Sequence, residues 1–297
     1  MYRKLKKYFK GEKKEDGAGV KLRRTFGYHD TPEFDPFLMM DFFDSKNPND
    51  YIKGFPWHPH RGIETITYLI KGEIEHGDSM GNKGIIKSGQ CQWMTAGSGV
   101  LHQELPKESP EMLGVQVWLN LAADNKMTSP KYGDITEDMI PVYEDENKRV
   151  HIIAGKYKKL EGKINREDTK PTFLDIELKA NSEFVFDLNY DFNSYAFLIR
   201  GEANFNQEKE EYVSYPQRVL YEKGKKIKVN TGDKPARFLL LAGKKLNEPI
   251  AWGGPIVMNT REELKIASHD LKENNFVIEK NNKNIKEIND FYNKEKK

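Results

Sequence analysis

The chain repeats itself at long range. Tyr68-Leu69-Ile70-Lys71-Gly72-Glu73 and Phe197-Leu198-Ile199-Arg200-Gly201-Glu202 share one pattern: an apolar run, a basic residue, a glycine and a glutamate. The copies lie 129 residues apart (197 against 68), close to half of the 297 residues. A duplicated unit is the economical reading of such an echo. The unit itself is β-rich. Short β-branched and aromatic runs at 65–70, 115–121, 173–178 and 238–242 alternate with turn signals such as Gly81-Asn82, Ser88-Gly89 and Thr231-Gly232. Regular short strands with such turns predict an all-β barrel or sandwich. Duplication makes it a pair of barrels, divided in the polar stretch 124–145, which holds Pro130 and Pro141.

One helix start stands out. Thr260-Arg261-Glu262-Glu263 fits a capping box and leads into Leu264, Ile266 and Ala267. This helix is expected to pack back on the first barrel, which favours a compact monomer. Hydrophobic residues make up 37% of the chain, enough for a core but spread in short clusters. No run approaches the roughly 20 apolar residues of a membrane helix. The basic N-terminus lacks the apolar stretch of a signal peptide, and a lone cysteine, Cys91, allows no internal disulfide. A cytoplasmic protein is expected. The net charge of +2 gives no global attraction to nucleic acid. Residues 3–14 carry seven Lys or Arg and one acid, read as a solvated end.

Among the histidines, three sit in patterns that carry chemistry. His58-Pro59-His60 places two imidazoles at i and i+2, on one face of an extended segment. Pro59 cannot donate a ladder bond, so the segment belongs at a sheet edge or a strand start. His102-Gln103-Glu104 repeats the spacing with a carboxylate. Two such pairs on facing strands would bring His58, His60, His102 and Glu104 to one point. Imidazole and carboxylate suit Fe, Mn, Co, Ni, Cu or Zn and argue against Ca or Mg. An octahedral ion would keep two positions open, unlike a closed, thiol-rich structural zinc site. A histidine pair hydrogen-bonded within a half-buried sheet is the plainer alternative.

The stretch GFPWHPHRGIETITYLIKGEIEHGDSMGNKGIIKSGQCQWMTAGSGVLHQE, from Gly54, resembles the first barrel of the pirins, a branch of the cupin superfamily. Further matches are Asp35-Pro36-Phe37-Leu38, Val115-Gln116-Val117-Trp118-Leu119-Asn120-Leu121, Ser129-Pro130-Lys131-Tyr132 and Gly253-Gly254-Pro255. The resemblance runs from about residue 18 to 268. It implies a bicupin fold: a basic tail at 1–17, a metal-binding barrel at 18–135, a second barrel without metal ligands at 136–268 and a Lys/Asn-rich tail at 269–297. It implies one iron, or a related metal, held by His58, His60, His102 and Glu104. It also implies that bacterial members can act as quercetin 2,3-dioxygenases. Glu64 fits the general cupin motif, in which that glutamate is commonly a ligand. The pirin pattern prefers Glu104 and leaves Glu64 behind the ligands or on the other face, with Gly62 as a bulge that reverses parity.

His76 follows a turn and reads as a rim residue. His29, His151 and His269 have no partner pattern. Cys91 reads as a packed strand residue, and Trp93, Met94 and Trp118 as core, unless an apolar lining surrounds the metal. Residues 170–245 contain no histidine, so no second metal is expected. The leading expectation is an oxidoreductase that takes a flavonol-like aromatic substrate and O₂, with Fe(II) as the ion and Glu104 as general base. A regulator that binds a protein partner according to metal redox state is a second reading. Another cupin metalloenzyme is a third.

Overall fold

The structure, a computed structural model, describes residues 1–278; of the tail expected at 269–297, the part from 279 on lies outside the described residues, while 269–272 continue a helix and Phe276 and Val277 are buried. It is all-β apart from short helical turns and one C-terminal helix. The chain divides into two compact units, each assembled from separated segments.

Among the described residues, one unit comprises Lys13–His29, Phe37–Glu137 and residues 247–278. It holds a seven-stranded sheet and a four-stranded sheet. The larger runs, in spatial order, Lys131–Ile135, Cys91–Thr95, Ile63–Lys71, Met112–Asn120, Phe37–Ser45, Val20–Phe26 and Glu12–Asp16. The smaller runs Phe55–His60, Val100–Pro106, Glu73–Asp78 and Lys83–Lys87. Between the sheets, Val20, Leu22, Phe43 and Leu69 pack against Ile74 and Ile86. Their alternation along each strand drives the closure, since only inward positions escape water. Phe55–His60 is an edge strand of the smaller sheet, the position that Pro59 demands.

The helix Arg261–Lys272 belongs to the same unit. Its capping box is complete: Thr260 Oγ1 accepts from Glu263 N at 3.2 Å and Glu263 Oε2 accepts from Thr260 N at 2.8 Å. Ala267 packs with Leu101, Ile256 and Met258. Arg61, buried, ties the segment down through Asp270 (2.7 Å) and the Phe276 carbonyl (3.0 Å).

The other unit comprises Met1–Glu12, Asp30–Pro36 and Asp138–Leu246. Ten of its strands join in one sheet system around a filled apolar interior that includes Ile152, Leu174, Phe184, Leu198, Phe205 and Phe238, and Lys156–Tyr157 pairs with Leu160–Glu161 in a separate two-stranded sheet. The basic segment read as a solvated end contributes here. Leu5–Phe9 pairs antiparallel with Gln217–Tyr221, and Leu5 and Tyr8 pack on the core. Arg3 is buried and donates to the carbonyls of Gly224, Phe192 and Asn189. Apolar residues spaced among the lysines carry that segment into the sheet, and its charge pattern alone hides them.

Candidate metal centre

The cluster is built on two paired strands of the smaller sheet. Val100–Pro106 runs antiparallel to Phe55–His60 with His102 opposite His58 and Val100 opposite His60. The two dyads therefore sit side by side in one ladder. Between His102 and Glu104 the register shifts, because the partner strand advances from His58 to Phe55 over the same step. This bulge re-aims the end of the edge strand beside the histidines. The ring centres of His58 and His102 are 4.3 Å apart, those of His60 and His102 4.9 Å, and those of His58 and His60 4.8 Å. One ligating nitrogen of each ring lies within 4.8 Å of the others.

Hydrogen bonds fix the tautomers. His58 Nδ1 lies 2.8 Å from the Pro56 carbonyl and His60 Nδ1 2.9 Å from the Pro255 carbonyl. A carbonyl only accepts, so both Nδ1 atoms carry the proton and both Nε2 atoms are bare lone pairs. Those Nε2 atoms face each other at 3.1 Å. Two lone pairs at this distance repel unless a positive charge stands beside them. A proton does not fill the role well, because burial pushes His60 down to about 3, lowers His58 and holds His102 well below the usual imidazole range. A metal ion fills it. Two nitrogens each about 2.1 Å from one ion lie roughly 3.0–3.4 Å apart, so this pair at 3.1 Å could share one ion. Among the described residues neither nitrogen of buried His102 has a hydrogen-bond partner, which suits a ligand in waiting. The residues fit a divalent transition metal.

Glu104 is buried one strand position further along, and its carboxylate is not among the atoms that converge. It accepts from Thr67 Oγ1 at 3.1 Å and from Gln116 Nε2 at 2.9 and 2.7 Å. Gln116 Oε1 in turn accepts from Trp118 Nε1 at 3.2 Å. Glu64 lies on Ile63–Lys71 in the larger sheet, accepts from Thr95 Oγ1 at 2.6 Å, and stands outside the cluster. Gly62, just before it, has φ +78°, and a Cβ there would meet the Val257 carbonyl at 2.0 Å.

His58 and His60 open into a cavity of about 600 Å³ walled by Tyr28, Trp118 and Trp252. Trp118 stands edge-on to His60 (4.9 Å) and stacks with Trp252 (5.8 Å). Arg24 and Asp41 line the same cavity as a two-pronged ion pair of 2.9 and 2.7 Å. An aromatic slot this size suits a flat ring system.

Two expectations change. His76, read as a rim residue, is fully buried, because its strand Glu73–Asp78 is covered by Val100–Pro106 on one side and Tyr132 stacks on its ring at 4.7 Å. Trp118 is both core and cavity wall. Met94 and Cys91 are packed strand residues, and burial raises the Cys91 thiol well above its usual range. His29 and His269 are exposed, and His151 lies 3.7 Å from Glu177. Sequence reasoning missed Thr67, Gln116, Tyr28, Arg24, Asp41 and Trp252. Gln116 carried a signal: a polar residue in an apolar run, two before Trp118 and so on the same face. Trp252 carried none, being brought in from 134 residues away in sequence (252 against 118).

Residues 19–119 match the pirin family and residues 173–277 match the pirin C-terminal cupin domain. The chain belongs to the pirin family. A pirin-like protein of Caulobacter vibrioides is 38% identical, over 92% of this chain and 99% of its own length. Human pirin is 33% identical, over 86% of this chain and 88% of its own. The crystal structure of a quercetin 2,3-dioxygenase from Acinetobacter baumannii superposes with a TM-score of 0.84 at 29% identity, covering 93% of this chain and 99% of that one. The two matched models cover one cupin domain each, and a short helix, Arg261–Lys272, lies near the C-terminal end of the described residues. No helix among the described residues is long and apolar enough to cross a membrane.

Proposed function

We propose that this pirin is a metal-dependent dioxygenase of flavonols such as quercetin, working at a single centre where His58, His60 and His102 converge and Glu104 stands beside them, with Fe(II) as its ion. The observation that carries the reading is the pair of carbonyl-fixed imidazoles whose bare nitrogens meet at the floor of an aromatic-walled cavity. Likeness to a quercetin 2,3-dioxygenase over most of both chains supports the substrate class. When bound, the ion would act as a Lewis acid toward a substrate oxygen and bring O₂ beside the substrate.

The protein's own residues do the rest. Trp118, Trp252 and Tyr28 stack on the flat ring system and shed its water. Glu104 takes the proton of the substrate hydroxyl as general base. Thr67 and Gln116 hold its carboxylate in place, so little reorganisation accompanies the transfer. Arg24, bonded to both Asp41 and Asp16, lines the mouth and offers polar groups to a polyhydroxylated ring. The proposal takes the protein as a cytoplasmic monomer.

The test is anaerobic loading with Fe(II), removal of free ion, addition of quercetin and then O₂, with loss of flavonol absorbance followed. Turnover above that of the same concentration of free Fe(II), abolished by His102→Ala, is expected. Turnover no greater than free ion refutes the proposal.

A further inference from the structure

Behind His102 stands a second buried histidine that the reaction outlined above does not use. His76 sits on the strand that flanks Val100–Pro106 on the side away from His58, with Glu104 opposite His76 and His102 opposite Asp78. His76 Nε2 lies 3.4 Å from Asp78 Oδ2. A carboxylate accepts, so Nε2 carries the proton and Nδ1 is a bare acceptor. That Nδ1 is buried and has no hydrogen-bond partner among the described residues, and the same is true of both His102 nitrogens.

The two rings are 5.4 Å apart between centres and tilted by 52°. Imidazoles joined by an N–H···N bond of about 3 Å have centres roughly 5 Å apart, so a small rotation joins them. A metal-bound imidazole donates its other N–H to a neighbour that sets its orientation. Among the described residues no carbonyl or carboxylate takes that role at His102. We propose that His76 is the positioning residue for His102: its bare Nδ1 accepts the N–H of the His102 nitrogen turned away from the ion, and Asp78 fixes His76 in the tautomer that can accept.

The support is rigid. Asp78 Oδ1 accepts from Met80 N (2.9 Å) and Asn82 N (3.0 Å), and Oδ2 from Asn82 Nδ2 (2.8 Å). The Tyr132 ring stacks on His76, and its hydroxyl donates to Asp134 at 2.6 Å and accepts from Gln92 at 2.8 Å. A chain from carboxylate to imidazole to imidazole thus ends at the cluster, and it aims His102 at the point where the His58 and His60 nitrogens meet.

This inference rests on the metal-centre reading, so the test separates the two. Co(II) is titrated into the unsubstituted chain, His76→Phe and His76→Gln, with chelator competition for affinity and visible d–d bands for geometry. His76→Phe keeps the stack on Tyr132 and loses the acceptor. It is expected to bind Co(II) about 10- to 100-fold more weakly with shifted bands. His76→Gln, whose side-chain carbonyl accepts, is expected to recover most of both. A second measurement needs no variant: two-bond ¹H–¹⁵N spectra of the Zn(II)-loaded chain should report His76 as the Nε2–H tautomer. Unchanged affinity and bands in His76→Phe, or a His76 protonated at Nδ1, overturns the positioning role while the metal centre stands. An unsubstituted chain that takes up no Co(II) overturns the centre itself.

Discussion

Replacing His60 by glutamine in the metal-free protein is expected to blunt its acid lability by a calculable amount. An unfolded histidine titrates near 6.5, whereas burial holds His60 at about 3 in the fold. Between those values the unfolded chain binds a proton that the folded chain refuses, so stability falls as pH falls through that window. By about pH 5 the separation reached is roughly 1.5 units, or about 2 kcal/mol at 1.36 kcal/mol per unit. His58 and His102 are depressed by burial in the same direction and add to the slope. Glutamine cannot charge, yet its amide can still donate toward the Pro255 carbonyl that now anchors His60. Urea unfolding at about pH 7.5 and about pH 5, with chelator present, reads the difference. The unsubstituted chain should lose about 2 kcal/mol more than His60→Gln between the two. Equal losses would mean that His60 charges freely in the fold, and the argument that its lone pair awaits a metal rather than a proton would fail.

Metal loading should raise the melting temperature of the unsubstituted chain. At 100 times the dissociation constant the gain is about 2.7 kcal/mol, or roughly 5–11 °C for a unit of this size; scanning calorimetry with and without Ni(II) reads it, and His102→Ala should show no shift. Gln116→Leu removes two of the bonds to the Glu104 carboxylate, so a stability loss of about 1–3 kcal/mol and a drop in kcat for quercetin are expected, with unchanged kcat counting against a role for Glu104 as base. Gly62→Ala sets a methyl 2.0 Å from the Val257 carbonyl at φ +78°; the 256–258 strand must move, and weaker metal binding with a lower melting temperature should follow, whereas a wild-type melt would show that this close approach is not needed.

What could be read from the sequence alone follows from local rules. Period-two alternation and turn glycines specify strands whatever their partners, so the all-β class and the duplicated barrel were legible. The i, i+2 spacing puts His58 and His60 on one face, and His102 and Glu104 on another, before any pairing is known. Thr260 to Glu263 encodes its capping box within four residues. Even Pro59 marks its strand as an edge.

Tertiary pairing decided the rest. Antiparallel register sets His102 opposite His58, and the packed sheet brings a nitrogen of each together with one of His60. His76 looked like a rim residue because burial is a property of the sheet that covers a strand, not of the turn that precedes it. Leu5 and Tyr8 joined the core of the other unit through a partner more than 200 residues on, which no local charge count foresees. The tautomers of His58 and His60 depend on carbonyls supplied by the chain at Pro56 and Pro255. Residue type names the possible ligands; only the packed fold chooses which nitrogen is left bare and where it points.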